Sequence, residues 1–113
     1  MEKNTGIVLV IIVLIIAVIS LINYVKNNNN IDEETAKCIA SKSKLFVSKT
    51  CSHCEQQKRI LGDYLNLFNL VDCIDNSKEC QENNILRIPT WIIDSKKYVG
   101  VKSLKELKNL ADC

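Results

Sequence analysis

KLFVSKTCSHCEQQKRILGDYL, residues 44–65, changes period in its middle, and that change decides the fold. Lys44 to Ser48 (KLFVS) is a short apolar run suited to a buried strand, and from Cys51 onward Ile60, Leu61, Tyr64 and Leu65 recur at helical spacing. The sequence Cys51-Ser52-His53-Cys54 falls where the strand hands over to the helix. A thiolate at that junction is stabilised by unpaired backbone N–H groups and by the positive end of the helix dipole. The first cysteine is therefore expected to ionise well below the usual thiol value of about 8.5. Two intervening residues let both sulfurs share one helical turn, so Cys54 can attack a mixed disulfide once Cys51 has formed it. Cys51 is the expected nucleophile and Cys54 the resolving thiol. His53, between them, is positioned to support the thiolate by charge or hydrogen bonding, which favours the reduced pair and makes the disulfide oxidising. The alternative for a lone histidine is a solvated side chain with no role.

Toward the C-terminus the alternation continues. Asn69 to Ile74 (NLVDCI) reads as a second strand and Ser77 to about Asn84 as a short helix. Pro89, the one proline, follows Ile88 at the entry to a strand. There a cis bond turns the backbone toward the helix start and exposes edge groups to an extended substrate, so Ile88 and Pro89 are expected to bind substrate; a plain strand-entry proline is the alternative. Trp91 to Asp94 and Lys97 to Val101, separated by Ser95-Lys96, read as a hairpin. Ser103 with Glu106 forms a capping box opening a last helix, with Leu104, Leu107 and Leu110 as its apolar stripe. The order is βαβα followed by ββα: an α/β domain with a small mixed sheet flanked by helices.

Toward the N-terminus, Asp32 to Lys42 reads as a short helix with acidic residues in its first turn. Asn27 to Ile31, with four consecutive asparagines, reads as a flexible tether. From Ile7 to Ile22 every residue but Ser20 is apolar. The wider stretch, residues 6–25, is 20 residues long, and a helix of that length spans roughly 30 Å, the thickness of a bilayer core. Residues 1–26 are thus expected to be a single membrane anchor, leaving 32–113 as the folded domain. The run is long for a cleaved signal peptide and no Ala-x-Ala-like site follows it. Lys3 and Lys26 flank it and orient it only weakly. The cysteines place the domain on the extracytoplasmic or lumenal side, where disulfides persist.

Setting aside Lys3, Lys26 and Glu2, the remainder carries 13 Lys and Arg against 12 Asp and Glu, which argues against a basic nucleic-acid surface. Six cysteines after residue 37 signal disulfides, metal or redox chemistry. Cys-x-x-Cys is also half of a zinc site, but no second such pair follows, so no metal is expected. The redox-active Cys51–Cys54 pair then serves in place of a cofactor. A domain of 83 residues, 31–113, buries only about two-thirds of its chain surface, so covalent staples would help it.

KLFVS, CSHCEQQK, VDC, Cys80-Gln81-Glu82, IPTWIID and YVGVKSLKEL, spread from Lys44 to Cys113, together resemble the thioredoxin superfamily. Within it they are most similar to the thioredoxin-like domain associated with vitamin K epoxide reductase homologues. The resemblance implies a thioredoxin-like fold and a cis-proline at Pro89. It also implies that Cys51 and Cys54 pass electrons between protein thiol or disulfide substrates and a quinone-reducing membrane partner. Two features depart from that pattern: Thr50 stands where an aromatic residue usually precedes the first cysteine, and no reductase domain is attached. Cys73 and Cys80 occupy places where similar domains carry a second cysteine pair, so they are structural disulfide candidates, as are Cys38 and Cys113 at the two ends of the domain. Six cysteines leave the pairing open on counting alone. Three readings remain: a protein thiol-disulfide oxidoreductase of undetermined direction, a non-enzymatic tethered module stapled by disulfides or zinc, and a glutathione-dependent glutaredoxin-like enzyme. Gly100, alone after Trp91, argues against the last, which pairs glycines to hold the glutathione carboxylate.

Overall fold

The computed structural model describes residues 2–28 and 30–113, which divide into two units, residues up to 30 and residues 31–113. The first unit is one helix, α1 (Glu2–Asn28), with its apolar side chains from Ile7 to Val25 exposed. It is long and apolar enough to cross a membrane from Lys3 to Lys26. The helix runs through Asn27 and Asn28, past the expected start of the tether, because propagating an established helix costs an asparagine only a few tenths of a kcal/mol. Asn29, the middle of the expected tether, lies outside the described residues.

The second unit opens with α2 (Glu33–Lys42), where the Asp32 carboxylate accepts from Thr35 N at 2.7 Å as its N-cap. β1 (Ser43–Val47) leads into α3 (Ser52–Leu61). The helical stretch expected from Cys51 through Leu65 changes character at Gly62, whose φ of 53° lies in the left-handed region, and a 3-10 turn covers Gly62–Leu67. β2 (Asn69–Asp72) stops two residues earlier than expected. The Asp72 side chain accepts from Ile74 N at 2.8 Å and so turns the chain. α4 (Ser77–Glu82) follows.

The hairpin of β3 (Thr90–Ile93) and β4 (Lys96–Val99) turns on Asp94-Ser95 rather than Ser95-Lys96. Both turn residues have positive φ, 47° and 68°, the left-handed pair of a two-residue hairpin turn, and Asp tolerates that region better than Lys. α5 (Leu104–Leu110) closes the chain behind the Ser103–Glu106 capping box.

The sheet order is β2-β1-β3-β4, with β1 parallel to β2 and antiparallel to β3. Alternation along the strands divides the core into two layers. Leu45, Val47, Trp91 and Ile93 face Ile39, Cys54, Leu61 and Leu107 from α2, α3 and α5, while Phe46 and Val71 face Cys80 of α4. Leu107 is buried at the centre of the α5 stripe, with Leu104 and Leu110 partly buried beside it.

Two contacts close the ends of this unit. Lys42 Nζ donates to the Ala111 carbonyl at 2.8 Å, and Tyr64 Oη donates to the Ile31 carbonyl at 3.0 Å.

Candidate functional site

The turn between β1 and α3 is built by local hydrogen bonds. Thr50 N donates to Ser48 Oγ at 3.4 Å and Cys51 N donates to Ser48 O at 3.3 Å, bending the chain so that Cys51 becomes the N-cap of α3. Cys51 has extended backbone angles, φ −102° and ψ 112°, and its sulfur accepts from Cys54 N at 3.1 Å. That bond occupies one of the orphan amides at the helix start. Cys51 and Cys54 form a disulfide with Cα atoms 5.2 Å apart. Cys51 is partly exposed and Cys54 fully buried, so solvent reaches the first residue and not the second.

The loop before β3 approaches the Cys51 sulfur. The Ile88–Pro89 peptide bond is cis, and the Ile88 carbonyl oxygen lies 3.9 Å from Cys51 Sγ. Pro89 is buried and its own carbonyl accepts from Gly100 N at 2.8 Å, which ties this loop to the end of β4. Cys51, Cys54, Ile88 and Pro89 therefore come together in space. His53 is exposed on the first turn of α3.

Charges around the turn are paired outside it. Glu55 in the first turn of α3 holds Lys58 at 2.9 Å, and Lys49 meets Asp75 at 2.6 Å. The hydrogen bond that Lys49 donates to Asp75, then the negative charge of Asp75, holds the Lys49 ammonium above its ordinary 10.5, although both groups are exposed and the pair adds little stability.

The remaining cysteines lie elsewhere. Cys73 and Cys80 are bonded across the β2–α4 turn, and Cys38 of α2 is bonded to Cys113 beyond α5, with Cα atoms 6.0 Å apart in the latter. Among the described residues no group of three or more His, Cys, Asp or Glu is placed to hold a metal ion.

Sequence reasoning missed Gln57. Its side chain is completely buried one turn beyond Cys54, where Oε1 accepts from Trp91 Nε1 at 3.0 Å and from Lys102 N at 2.6 Å, and Nε2 donates to the Lys102 carbonyl at 3.0 Å. The available signal was positional, since Cys54, Gln57 and Leu61 share one helix face and the outer two are apolar.

No family model matches the chain. Among solved structures it is similar to the N-terminal domain of the alkylhydroperoxide reductase AhpF from Enterococcus faecalis, at 22% identity and TM-score 0.51, covering 73% of this chain and 45% of that one. A C503A mutant of AhpF from the same organism gives the same figures. The chain thus spans less than half the length of these neighbours. The fold is thioredoxin-like. Oxidised thioredoxin from Plasmodium falciparum also aligns, over 73% of this chain and 90% of its own, at 19% identity and TM-score 0.46.

Proposed function

We propose that this chain is a membrane-anchored thiol-disulfide oxidoreductase acting on protein substrates, with Cys51 as nucleophile and Cys54 as resolving thiol. The observation that carries the reading is the pairing of a partly exposed cysteine at a helix start with a buried one a turn behind it, beside a main-chain carbonyl 3.9 Å from the first sulfur. An extended substrate strand laid along Ile88 and Pro89 would find main-chain partners there while presenting its own sulfur to Cys51.

In the reducing direction, the Cys51 thiolate attacks one sulfur of a substrate disulfide and the other substrate sulfur leaves as a thiolate and takes up a proton. Cys54 then gives up its proton and attacks Cys51 Sγ. The substrate sulfur held in the mixed disulfide leaves as a thiolate and takes up a proton, and the Cys51–Cys54 disulfide remains. Two electrons have passed from the dithiol to the substrate. In the oxidising direction the same steps run backward, and a quinone-linked membrane oxidoreductase would take the two electrons from the reduced pair. α1 would hold the domain at the bilayer on the extracytoplasmic or lumenal side, where both kinds of partner are met.

The test is equilibration of the full chain in detergent against glutathione buffers, with mass-spectrometric counting of blocked thiols. A cycling pair at about −120 to −200 mV identifies an oxidase or isomerase, and one near about −270 mV a reductase. Cys51→Ser should abolish exchange, and Cys54→Ser should accumulate a mixed disulfide with substrate. A pair that does not cycle, in a wild-type chain that exchanges no disulfides, would leave a stapled, non-enzymatic module as the reading.

A further inference from the structure

The amide of Gln57, completely buried one turn past Cys54, is a polar group that the exchange chemistry leaves unused. It touches three segments at once. Gln57 itself sits on α3, three residues past Cys54; Trp91 lies two residues past Pro89; and Lys102 immediately precedes Ser103, the cap of α5. Both lone-pair directions of Oε1 are taken by donors, and Nε2 reaches the Lys102 carbonyl. A buried side chain this fully bonded keeps a single rotamer, because each bond lost inside the core leaves an unsatisfied partner. The Trp91 ring is itself held edge-on to Phe68, with centroids 5.7 Å apart.

We propose that Gln57 is a positioning residue for disulfide exchange: its amide locks α3, the strand after Pro89 and the segment entering α5 in one register. That register holds Cys51 against the Ile88 carbonyl. The proposal rests on the oxidoreductase reading and adds to it a residue that never touches substrate.

The amide is required because it presents an acceptor and a donor together. The Lys102 residue offers both its N–H and its carbonyl to the same side chain, and a carboxylate could answer only the first. The charged groups around this position are otherwise engaged or solvated. Glu55 pairs with Lys58 on α3, the Lys102 ammonium donates to the Val99 carbonyl at 3.2 Å, and Glu106 accepts from Ser103 N at 2.7 Å. His53 and Lys105 are exposed.

Gln57→Glu and Gln57→Leu, made in the full chain and assayed in detergent with a fluorescent peptide disulfide, test the proposal. Rates are taken at a temperature where melting shows each variant folded and are expressed relative to wild type from about pH 5 to pH 8, the span over which a buried carboxyl titrates. At the acid end the protonated carboxyl of the Gln57→Glu variant reproduces both roles of the amide, so its rate ratio should stay within about twofold of one. As that carboxyl ionises the donor is lost against the Lys102 carbonyl, and the ratio should fall by about tenfold or more. Gln57→Leu should be slow at every pH. Variants that melt lower yet exchange at the wild-type rate throughout would overturn the proposal and leave Gln57 a purely structural residue. Should Gln57→Leu not fold, the pH dependence of the Gln57→Glu ratio decides alone. A wild-type chain without exchange activity would overturn the oxidoreductase reading itself, an outcome distinct from equal rates in an active enzyme.

Discussion

The two motif cysteines differ chiefly in access, and that difference comes from single positions on α3. Cys51 caps the helix and is half-buried, while Cys54 falls on the face that also carries Gln57 and Leu61 and is fully buried. His53 points the other way, into solvent, on the first turn. An imidazole there can still favour a nearby thiolate, so His53→Ala should destabilise the reduced pair relative to the disulfide and make the potential more negative. A drop of about 30 mV corresponds to a tenfold change in the equilibrium constant and is resolved by glutathione equilibration. An unchanged potential would leave His53 as a solvated side chain and nothing more. Cys51, Cys54, Ile88 and Pro89 were legible as one candidate site, because each residue type suits its chemistry at that place in the strand-helix order. Gln57 was not, since a glutamine in a charged stretch such as CEQQKR reads as solvent-facing until the helix face it shares is known to be buried.

At the scale of elements, the order of strands and helices was legible and their ends were less so. Periodicity marks where an element lies, but its limits depend on capping and turn chemistry. Gly62 and the positive-φ pair Asp94-Ser95 are cases where backbone conformation, rather than apolar spacing, set the boundary. The capping box of α5 was legible because it is a local hydrogen-bond pattern written in two residues. Ser103 Oγ accepts from Glu106 N at 3.2 Å, so Ser103→Ala should lower unfolding stability by about 1 kcal/mol in denaturant titration. The reciprocal bond gives a pH dependence of definite sign. Hydrogen bonds from the Ser103 backbone, then its side chain, hold the Glu106 carboxyl below its ordinary 4.5, and the Thr35 side chain and then backbone do the same for Asp32 below 3.8. A depressed carboxyl contributes stability that is present above its unfolded value and lost as pH falls through its folded one. The melting temperature should therefore decline from about pH 4.5 downward, and Glu106→Gln should flatten part of that decline. A decline of equal size in Glu106→Gln would mean the cap carboxylate is not its source.

For the domain as a whole, the two disulfides away from the redox turn contribute unequally because they close loops of different length. Cys38–Cys113 joins residues 75 apart and ties α2 at one end of the domain to the chain beyond α5 at the other, whereas Cys73–Cys80 spans only 7. In the chain-entropy picture the long closure is worth about 4 to 5 kcal/mol and the short one about 2 to 3, both large against the stability that so small a core supplies alone. Cys80 adds a second contribution, being buried against Phe46 and Val71, so its replacement also opens a small cavity. Paired replacement of Cys38 and Cys113 by Ala should thus destabilise the protein by more than paired replacement of Cys73 and Cys80, when urea unfolding of the oxidised full chain is followed in detergent through the Trp91 fluorescence. The reverse order would show that packing around Cys80 outweighs loop closure. Under either order the Cys51–Cys54 bond, which closes a loop of 3, has the least unfolded-state entropy to remove, so opening it in the proposed exchange would cost the fold least, while the longer staples keep α2 tied to the C-terminal end and β2 tied to α4.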